Sequence, residues 1–336
     1  MGVYHLMGLG LSPGAITGPI SYLAEMYKNW DKEGQYFFSR SGEEDQRKEG
    51  DKVGDIQAIV LFATKEVIDG QDKKFYADKY VKNRPNQIDT REEKSKPMKE
   101  VLESLLKEEW SNISGGRDKG CIFWCEVDRR DIEKTFKRVA QVVASLAKGT
   151  GEQGKEIWLN LTGGNNVINF ALELAANLSG EVARLYYVQA ANENAEKCVR
   201  YTNKESYWVE LPVMSLVIPL AISDLNHEIL NILNIQKAIQ DKQLYSRLKS
   251  QHKHLVQDFN SPEDFKDKCL RSMKKIGFIS VEKDTGICRV GSQWKLIQQY
   301  EQIMKEVIDK ADRERLTIEQ LVSQEDWITT QKIKLK

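Results

Sequence analysis

From Val3 to Leu211 the chain alternates short apolar runs with amphipathic stretches. The runs Val3–Leu9 (VYHLMGL), Ile56–Ala63 (IQAIVLFA), Cys121–Val127 (CIFWCEV), Ile157–Leu161 (IWLNL), Leu185–Gln189 (LYYVQ) and Tyr207–Leu211 (YWVEL) predict strands. They are short, apolar on both faces and rich in β-branched and aromatic residues. Between them, Pro19–Trp30 predicts a helix. Asp131–Lys148 predicts another, with Ile132, Phe136, Val139, Val142, Val143 and Leu146 at helical spacing, and Val167–Leu178 is an almost wholly apolar helix. Such strands alternating with helices predict an α/β domain, a parallel sheet covered on both sides. Two charged stretches, 28–55 (with EEDQRKEGDK) and 72–99, read as solvated insertions.

The pattern changes after Pro212. Leu216–Leu220 is apolar, and Asp224–Gln240 predicts a helix capped by Ser223 or Asp224. Gln243–His254 predicts a second, basic helix. Asn260-Ser261-Pro262-Glu263 starts a third: a cap residue, proline in the first turn, then acids facing the positive end of the helix dipole. That helix runs to Lys275 and stops at Gly277. Phe278–Glu282 and Ile287–Val290 flank the turn Lys283-Asp284-Thr285-Gly286 and predict a β-hairpin. A long helix over Gln293–Ala311 follows, and the tail beyond Leu316 predicts one more helix and a basic end. Three helices and then a hairpin is the order of a winged helix-turn-helix. The expected division is therefore 1–212 and 216–336, the second domain carrying a C-terminal helical extension.

The length of 336 residues suits two domains. Lys+Arg and Asp+Glu both number 50, which excludes a polybasic binder along the whole chain but not a local basic face. With 40% hydrophobic and 30% charged residues the profile is globular. No apolar run reaches the ~18–20 residues of a membrane span. The N-terminus lacks the basic region of a signal peptide, so a cytoplasmic protein without a membrane partner is expected. Cys121, Cys125, Cys198, Cys269 and Cys288 have irregular spacing and read as buried or half-buried thiols in a reducing compartment. With only His5, His227, His252 and His254 to add, no metal site is expected.

Candidate chemistry sits in two loops. The first, Gly8-Leu-Gly-Leu-Ser12-Pro13-Gly14-Ala-Ile-Thr17-Gly-Pro19, joins the first strand to the first helix. As a dinucleotide fingerprint its Gly8, Gly10, Gly14 spacing is one residue too long, and no acid closes a second strand. As a nucleophile elbow it fails because the residue after Ser12 is Pro13, which has no N–H for an oxyanion hole. A phosphate- or sugar-contacting loop remains, as does a tight turn without a ligand. The second loop, Asn160-Leu-Thr162-Gly163-Gly164-Asn165-Asn166, has similar chemistry: a hydroxyl, paired glycines, then carboxamides at a helix start. Thr162, Asn165 and Asn166 can donate to phosphate or ribose oxygens. Two such loops in one parallel-sheet domain favour a ligand, because open α/β sheets bind ligands at strand C-terminal ends.

A first strand leading into L-S-P-G-x-x-T and a late strand leading into N-x-T-G-G-x-x before an apolar helix resemble the CRISPR-associated Rossmann-fold (CARF) domain, over residues 1–212. A winged helix over 216–300 is a familiar companion of that domain. The resemblance implies a Rossmann-like homodimer that binds a cyclic oligoadenylate made by type III CRISPR complexes, its ring size open, and no other cofactor. Leu11, Ser12, Pro13, Gly14 and Thr17 would form one edge of the pocket. Asn160, Thr162, Gly163, Gly164, Asn165 and Asn166 would form the other, with Thr64 and Asp128 as secondary candidates. Many members carry lysine where this chain has Asn166, a group that would neutralise phosphate charge during ring cleavage. Ser12 and Asn166 are thus the candidate catalytic residues of a metal-independent ring nuclease that uses ribose 2′-hydroxyl attack. Relatives with a HEPN ribonuclease domain carry Arg, four to six residues, then His. Arg247 with His252 or His254 fits that spacing, although Leu248 stands where a polar residue is usual.

Between Asp241 and Leu296 twelve basic residues face seven acidic ones, which permits DNA phosphate contacts. Lys266, Lys268, Arg271, Lys274, Lys275 and Lys283 are the candidates. The same domain could instead serve dimerisation. The leading expectation is a cyclic-oligoadenylate sensor signalling through the winged helix, in transcriptional or antiviral-defence regulation. A ring nuclease and a ring-activated ribonuclease are the alternatives.

Overall fold

The computed structural model describes residues 3–10, 15–16, 18–20, 22–23, 56–71, 76–77, 95–114, 119–149, 154–190, 208–210 and 224–334. The chain divides into two compact units: Met1–Pro219 together with Met304–Lys336, and Leu220–Ile303.

The first unit begins with strand β1 (Val3–Gly8), every residue of it buried. Helical residues at 15–16, 18–20 and 22–23 follow. Next come β2 (Ile56–Ala63), the single turn α1 (Lys65–Ile68), and the two-residue pair β3 (Tyr76–Ala77) with β4 (Ser95–Lys96). Helix α2 (Met98–Ile113) leads to β5 (Lys119–Glu126), α3 (Ile132–Ala147) and β6 (Glu156–Asn160). Helix α4 (Asn166–Ser179) leads to β7 (Arg184–Tyr186), β8 (Val188–Ala190) and β9 (Trp208–Glu210).

The second unit holds α5 (Asp224–Gln236), β10 (Ile239–Gln240) and α6 (Asp241–Gln251). Its third helical segment is α7 (Pro262–Phe265), a π-helical stretch Lys266–Leu270, and α8 (Arg271–Lys275). Strands β11 (Ile279–Val281) and β12 (Ile287–Val290) follow. Helix α9 (Ser292–Glu314) begins in this unit and ends in the first, which α10 (Ile318–Gln324) and β13 (Ile328–Lys334) complete.

The main sheet has the order β13-β5-β2-β1-β6-β7. β5, β2, β1, β6 and β7 run parallel, as strands apolar on both faces should. On one face Met7, Ile59, Leu61, Trp124 and Trp158 pack with Ile16, Ile20 and Leu23 and with Leu102, Leu105 and Trp110 of α2. Strand residues of the other parity, such as Leu6, Val60, Phe62, Phe123 and Leu159, are also buried. That is the side where α3 meets β6, α4 meets β1, and the two helices pack together. The sheet is thus a Rossmann-like arrangement, mostly parallel with helices on both faces.

Several expectations are corrected. Residues 72–99 hold more than a solvated insertion: β3, β4 and the first turn of α2 fall there. Helix α2 itself is an addition, held by Met98, Val101, Leu102, Leu105, Leu106, Trp110 and Ile113 on one apolar stripe. The stretch Leu185–Gln189 does not make one strand. It splits between β7 in the main sheet and β8, which pairs antiparallel with β9 outside it. The C-terminal tail, expected within 216–336, does not belong with the second unit. After α10 it returns as β13 and pairs antiparallel along β5, from Ile328 opposite Cys125 to Lys334 opposite Lys119. Arg138 on α3 secures this return. Its Nη1 donates to the Glu126 carbonyl at 2.6 Å, and its guanidinium lies 5.3 Å from the Trp327 ring centre. The Glu126 N–H donates to the Trp327 carbonyl at 2.7 Å. The expected joint at Pro212, the run Leu216–Leu220, residues 28–55 and Cys198 lie outside the described residues.

The second unit has its own core, in which Leu230, Leu233, Leu244, Leu248, Phe265, Met273 and Trp294 are all buried. Its three-stranded antiparallel sheet has the order β10-β12-β11. Ser261 caps α7 as expected, accepting from the Asp264 N–H at 3.1 Å, with Pro262 in the first turn.

The seam between α2 and β5 is testable. Gly120 faces the Trp110 indole so closely that a Cβ there would lie 1.7 Å from Cζ2. Gly120→Ala should lower stability by about 1–3 kcal/mol, read as a fall in the urea midpoint. An unchanged midpoint would contradict this packing.

Candidate ligand-binding site

The chain steps from β1 to β2 and β5 through elements on one face of the sheet, then crosses to β6 and β7 through α3 and α4 on the other. The strand order therefore reverses between β1 and β6. In open α/β sheets this is where the strand ends part and leave a crevice. Both loops singled out in the sequence leave the sheet there. Leu11, Ser12, Pro13, Gly14 and Thr17 lie outside the described residues. The ends of β1 and the whole β6 loop are described.

The β6 loop is built by local polar contacts. Asn160 is fully buried, and its Oδ1 accepts the Thr162 N–H at 2.9 Å. The Thr162 hydroxyl oxygen accepts the Val188 N–H at 2.8 Å, which ties the loop to β8. The two glycines let the loop rest directly on the end of β1. A Cβ on Gly163 would lie 2.1 Å from the Gly8 carbonyl oxygen. Gly164 has φ +87°, and its Cβ would meet the Asn169 carboxamide oxygen at 2.8 Å. The glycines thus serve a backbone-on-backbone contact between the two candidate loops.

Helix α4 starts at this loop. Asn165 is its N-cap, with Oδ1 accepting the Ile168 N–H at 3.0 Å. That carboxamide oxygen is committed to the helix and not to a ligand. Asn166, the first helical residue, is exposed, while Thr162 and Asn165 are half-buried. The Asn160 carboxamide nitrogen is buried and meets no acceptor among the described residues. Sequence reading missed Asn169, whose Nδ2 donates to the Leu161 carbonyl at 3.2 Å and braces the loop from within the helix. Its signal was present: a carboxamide one turn after Asn165 in an otherwise apolar helix.

Thr64 and Asp128 stand elsewhere on the same edge, at the ends of β2 and β5. They line a cleft of about 330 Å³ with Lys65, Glu66, Glu126, Val127, Arg129, Arg130 and Lys134. None of the residues from Asn160 to Asn166 lines it.

In the second unit the candidate DNA contacts separate into two groups. Lys266 pairs with Asp241 at 2.8 Å, and this hydrogen bond holds its ammonium above the usual lysine range. Lys268 pairs with Asp264 at 2.7 Å, one helical turn away. Arg271, Lys275 and Lys283 are exposed without an ion pair among the described residues, and Lys274 donates to the Val281 carbonyl at 3.3 Å. Lys266, Leu270, Arg271, Lys274, Val281 and Lys283 help line a cleft of about 260 Å³ between the third helical segment and the hairpin. Arg247 and His252 turn to different partners. Arg247 Nε donates to Gln251 Oε1 at 3.0 Å, whereas His252 Nε2 lies 3.2 Å from the Glu228 carboxylate on α5.

Burial disfavours the thiolate form of the described cysteines. Burial pushes Cys269 and Cys288 up to about 11 and Cys125 higher still. Among the described residues no group of three or more His, Cys, Asp or Glu could hold a metal ion. No helix among them is long and apolar enough to cross a membrane.

No protein-family model matches the chain. A protein of Archaeoglobus fulgidus, described only as uncharacterized, is 22% identical over 316 residues, covering 88% of this chain and 95% of its own. Among solved structures, Enterococcus italicus Csm6 bound to cyclic hexa-2′-fluoro-hexa-dAMP aligns with a TM-score of 0.38 and 11% identity. That alignment covers 82% of this chain, which spans 54% of the Csm6 chain.

The two adjacent asparagines should behave differently. Asn165→Ala removes a helix cap and should cost about 0.5–2 kcal/mol in chemical denaturation. Asn166→Ala, at an exposed first-turn position, should stay within about 0.5 kcal/mol of wild type. Equal effects would overturn the capping assignment.

Proposed function

We propose that the first unit binds a cyclic oligoadenylate at the edge between β1 and β6. The observation that carries this reading is the place of the β6 loop. It sits at the reversal of strand order, and the exposed Asn166 opens a helix whose first-turn N–H groups favour phosphate. Asn166 donates a neutral hydrogen bond to a phosphate or ribose oxygen. The L-S-P-G-x-x-T and N-x-T-G-G-x-x motifs of the CARF domain support the choice of ligand. On this reading a homodimer places two such edges about one two-fold axis, matching the symmetry of a ring of identical nucleotides.

The second unit is, in the same proposal, a winged helix that answers ring binding. Its order of three helical segments followed by a hairpin supports this. Arg271, Lys275 and Lys283 are then the DNA phosphate contacts, because Lys266 and Lys268 are held in ion pairs. The ring acts as an effector by favouring one spacing of the two winged helices over another. The exposed neutral carboxamide at Asn166 favours a sensor over a ring nuclease, since it brings no charge to a developing phosphorane.

Titration calorimetry with cyclic tetra-adenylate and cyclic hexa-adenylate tests the site. One ring should bind and raise the melting temperature. Asn166→Ala should weaken binding by about 10-fold, the value of one hydrogen bond to a charged group, with the melting temperature of the free protein unchanged. Chromatography of the incubated ring should return it intact. Unaltered affinity in Asn166→Ala would remove the assigned site, and linear products would replace the sensor with a ring nuclease.

A further inference from the structure

A second site stands at the ends of β2 and β5. The turn after β5 is fixed by its own polar groups. The Asp128 N–H donates to the Thr135 hydroxyl at 3.2 Å, and that hydroxyl donates back to the Asp128 carbonyl at 2.8 Å. The Arg130 N–H donates to Asp128 Oδ1 at 2.9 Å, and the Lys134 N–H to Asp131 Oδ1 at 2.9 Å. The Val127 N–H donates to the Ala63 carbonyl at 2.9 Å, which holds this turn beside the start of α1. The cleft between them, about 330 Å³, is therefore set before any ligand arrives.

Its charges are unbalanced in a specific way. Lys65, Arg129, Arg130 and Lys134 are all exposed around the cleft, and none forms an ion pair with a described residue. Three carboxylates share the lining, and they offset only part of this charge. Glu126 faces Arg138 at 3.3 Å, and Asp128 accepts the Arg130 N–H. Glu66 is hydrogen-bonded to its own backbone N–H and to Thr64, with the two arginines near enough to help hold its carboxyl below the usual range. With Glu126 paired to Arg138, Glu66 and Asp128 remain to offset four cations, which leaves net repulsion around one small cleft. An anion with several acceptor oxygens resolves the repulsion. A guanidinium donates to two phosphate oxygens at once, so Arg129 and Arg130, consecutive in sequence and both lining the cleft, suit a phosphate group.

We propose that the cleft formed by Thr64, Lys65, Arg129, Arg130 and Lys134 binds a phosphomonoester, with room for a ligand of mononucleotide size. The volume lies at the small end of ligand clefts, about 300–1,000 Å³. This site is distinct from the β1/β6 edge and stands whether or not that edge binds a ring.

Titration calorimetry of the full chain at low ionic strength tests it, with inorganic phosphate, ribose 5-phosphate, adenosine 5′-monophosphate and adenosine as probes. The phosphate-bearing probes should bind and adenosine should not. Equal affinity for inorganic phosphate and the monophosphates assigns the cleft to the phosphate group alone, and tighter binding of the monophosphates assigns it to the whole ester. Arg129→Gln/Arg130→Gln should weaken binding by at least about 10-fold. A melting scan checks that the double variant is folded. If it is not, Lys65→Gln decides, with a several-fold loss expected. The proposal is overturned if no phosphate-bearing probe binds, or if the arginine and lysine variants bind as wild type does.

Discussion

A sheet dry on both faces is the constraint on which the first unit depends. β1 is buried from end to end, and β2 nearly so. Backbone groups inside such a sheet must pair with neighbouring strands, and side chains along it must be apolar or fully satisfied. The polar groups inside it are held by neighbours, as His5 is by the Tyr186 hydroxyl at 2.9 Å, and exposed polar chemistry is left the strand ends. There the structure concentrates Asn160, Thr162, Asn165 and Asn166 at and beyond the end of β6, and Thr64, Asp128, Arg129 and Arg130 beyond β2 and β5. The reversal of strand order then opens one position on that edge, between β1 and β6.

The loops at that position are joined before any ligand is considered. Gly163 and Gly164 rest on Gly8, and Asn169 braces the loop through the Leu161 carbonyl. The motif that reads as a binding signature is thus partly a packing device. Paired glycines bring two backbones within a distance that no side chain permits. The carboxamide of Asn166 is left exposed at the start of α4. A contact of this kind also means that a change at one loop is felt at the other.

Charge is managed differently in the two units. In the second unit two of the expected DNA contacts are neutralised within the unit, Lys266 by Asp241 and Lys268 by Asp264. Exposed pairs of this sort contribute little to stability, but they remove two cations from any nucleic-acid face. In the first unit the reverse holds. Around Arg129 and Arg130 the lining cations outnumber the carboxylates: Glu126 is paired with Arg138, and Glu66 and Asp128 offset only part of the charge. Counting charges along the chain gives no hint of this division, since pairing depends on which side chains the fold brings together.

The sequence by itself determined the elements with strong periodicity. β2 lies where the run IQAIVLFA placed it, and α3, α4, the Ser261 cap and the β11–β12 hairpin follow their expected patterns. It also singled out the loops at the ends of β1 and β6, where glycines and carboxamides stand between a strand and a helix. Helix α2 had a readable stripe from Met98 to Ile113, obscured by the charged stretch that precedes it. Only the tertiary structure decided the fate of the tail. In β13 the two buried isoleucines, Ile328 and Ile333, are five residues apart and so face opposite sides of the sheet. That spacing gives neither a clean alternation nor a helical stripe. Its pairing with β5 is a contact between residues some two hundred positions apart in sequence, Ile328 with Cys125. Local pattern cannot hold such information, because edge-strand pairing is set by the partner's free hydrogen-bonding groups. The same reason separates Asn165 from Asn166. They are neighbours of one residue type, and only the direction of the helix makes one a cap and leaves the other open to solvent.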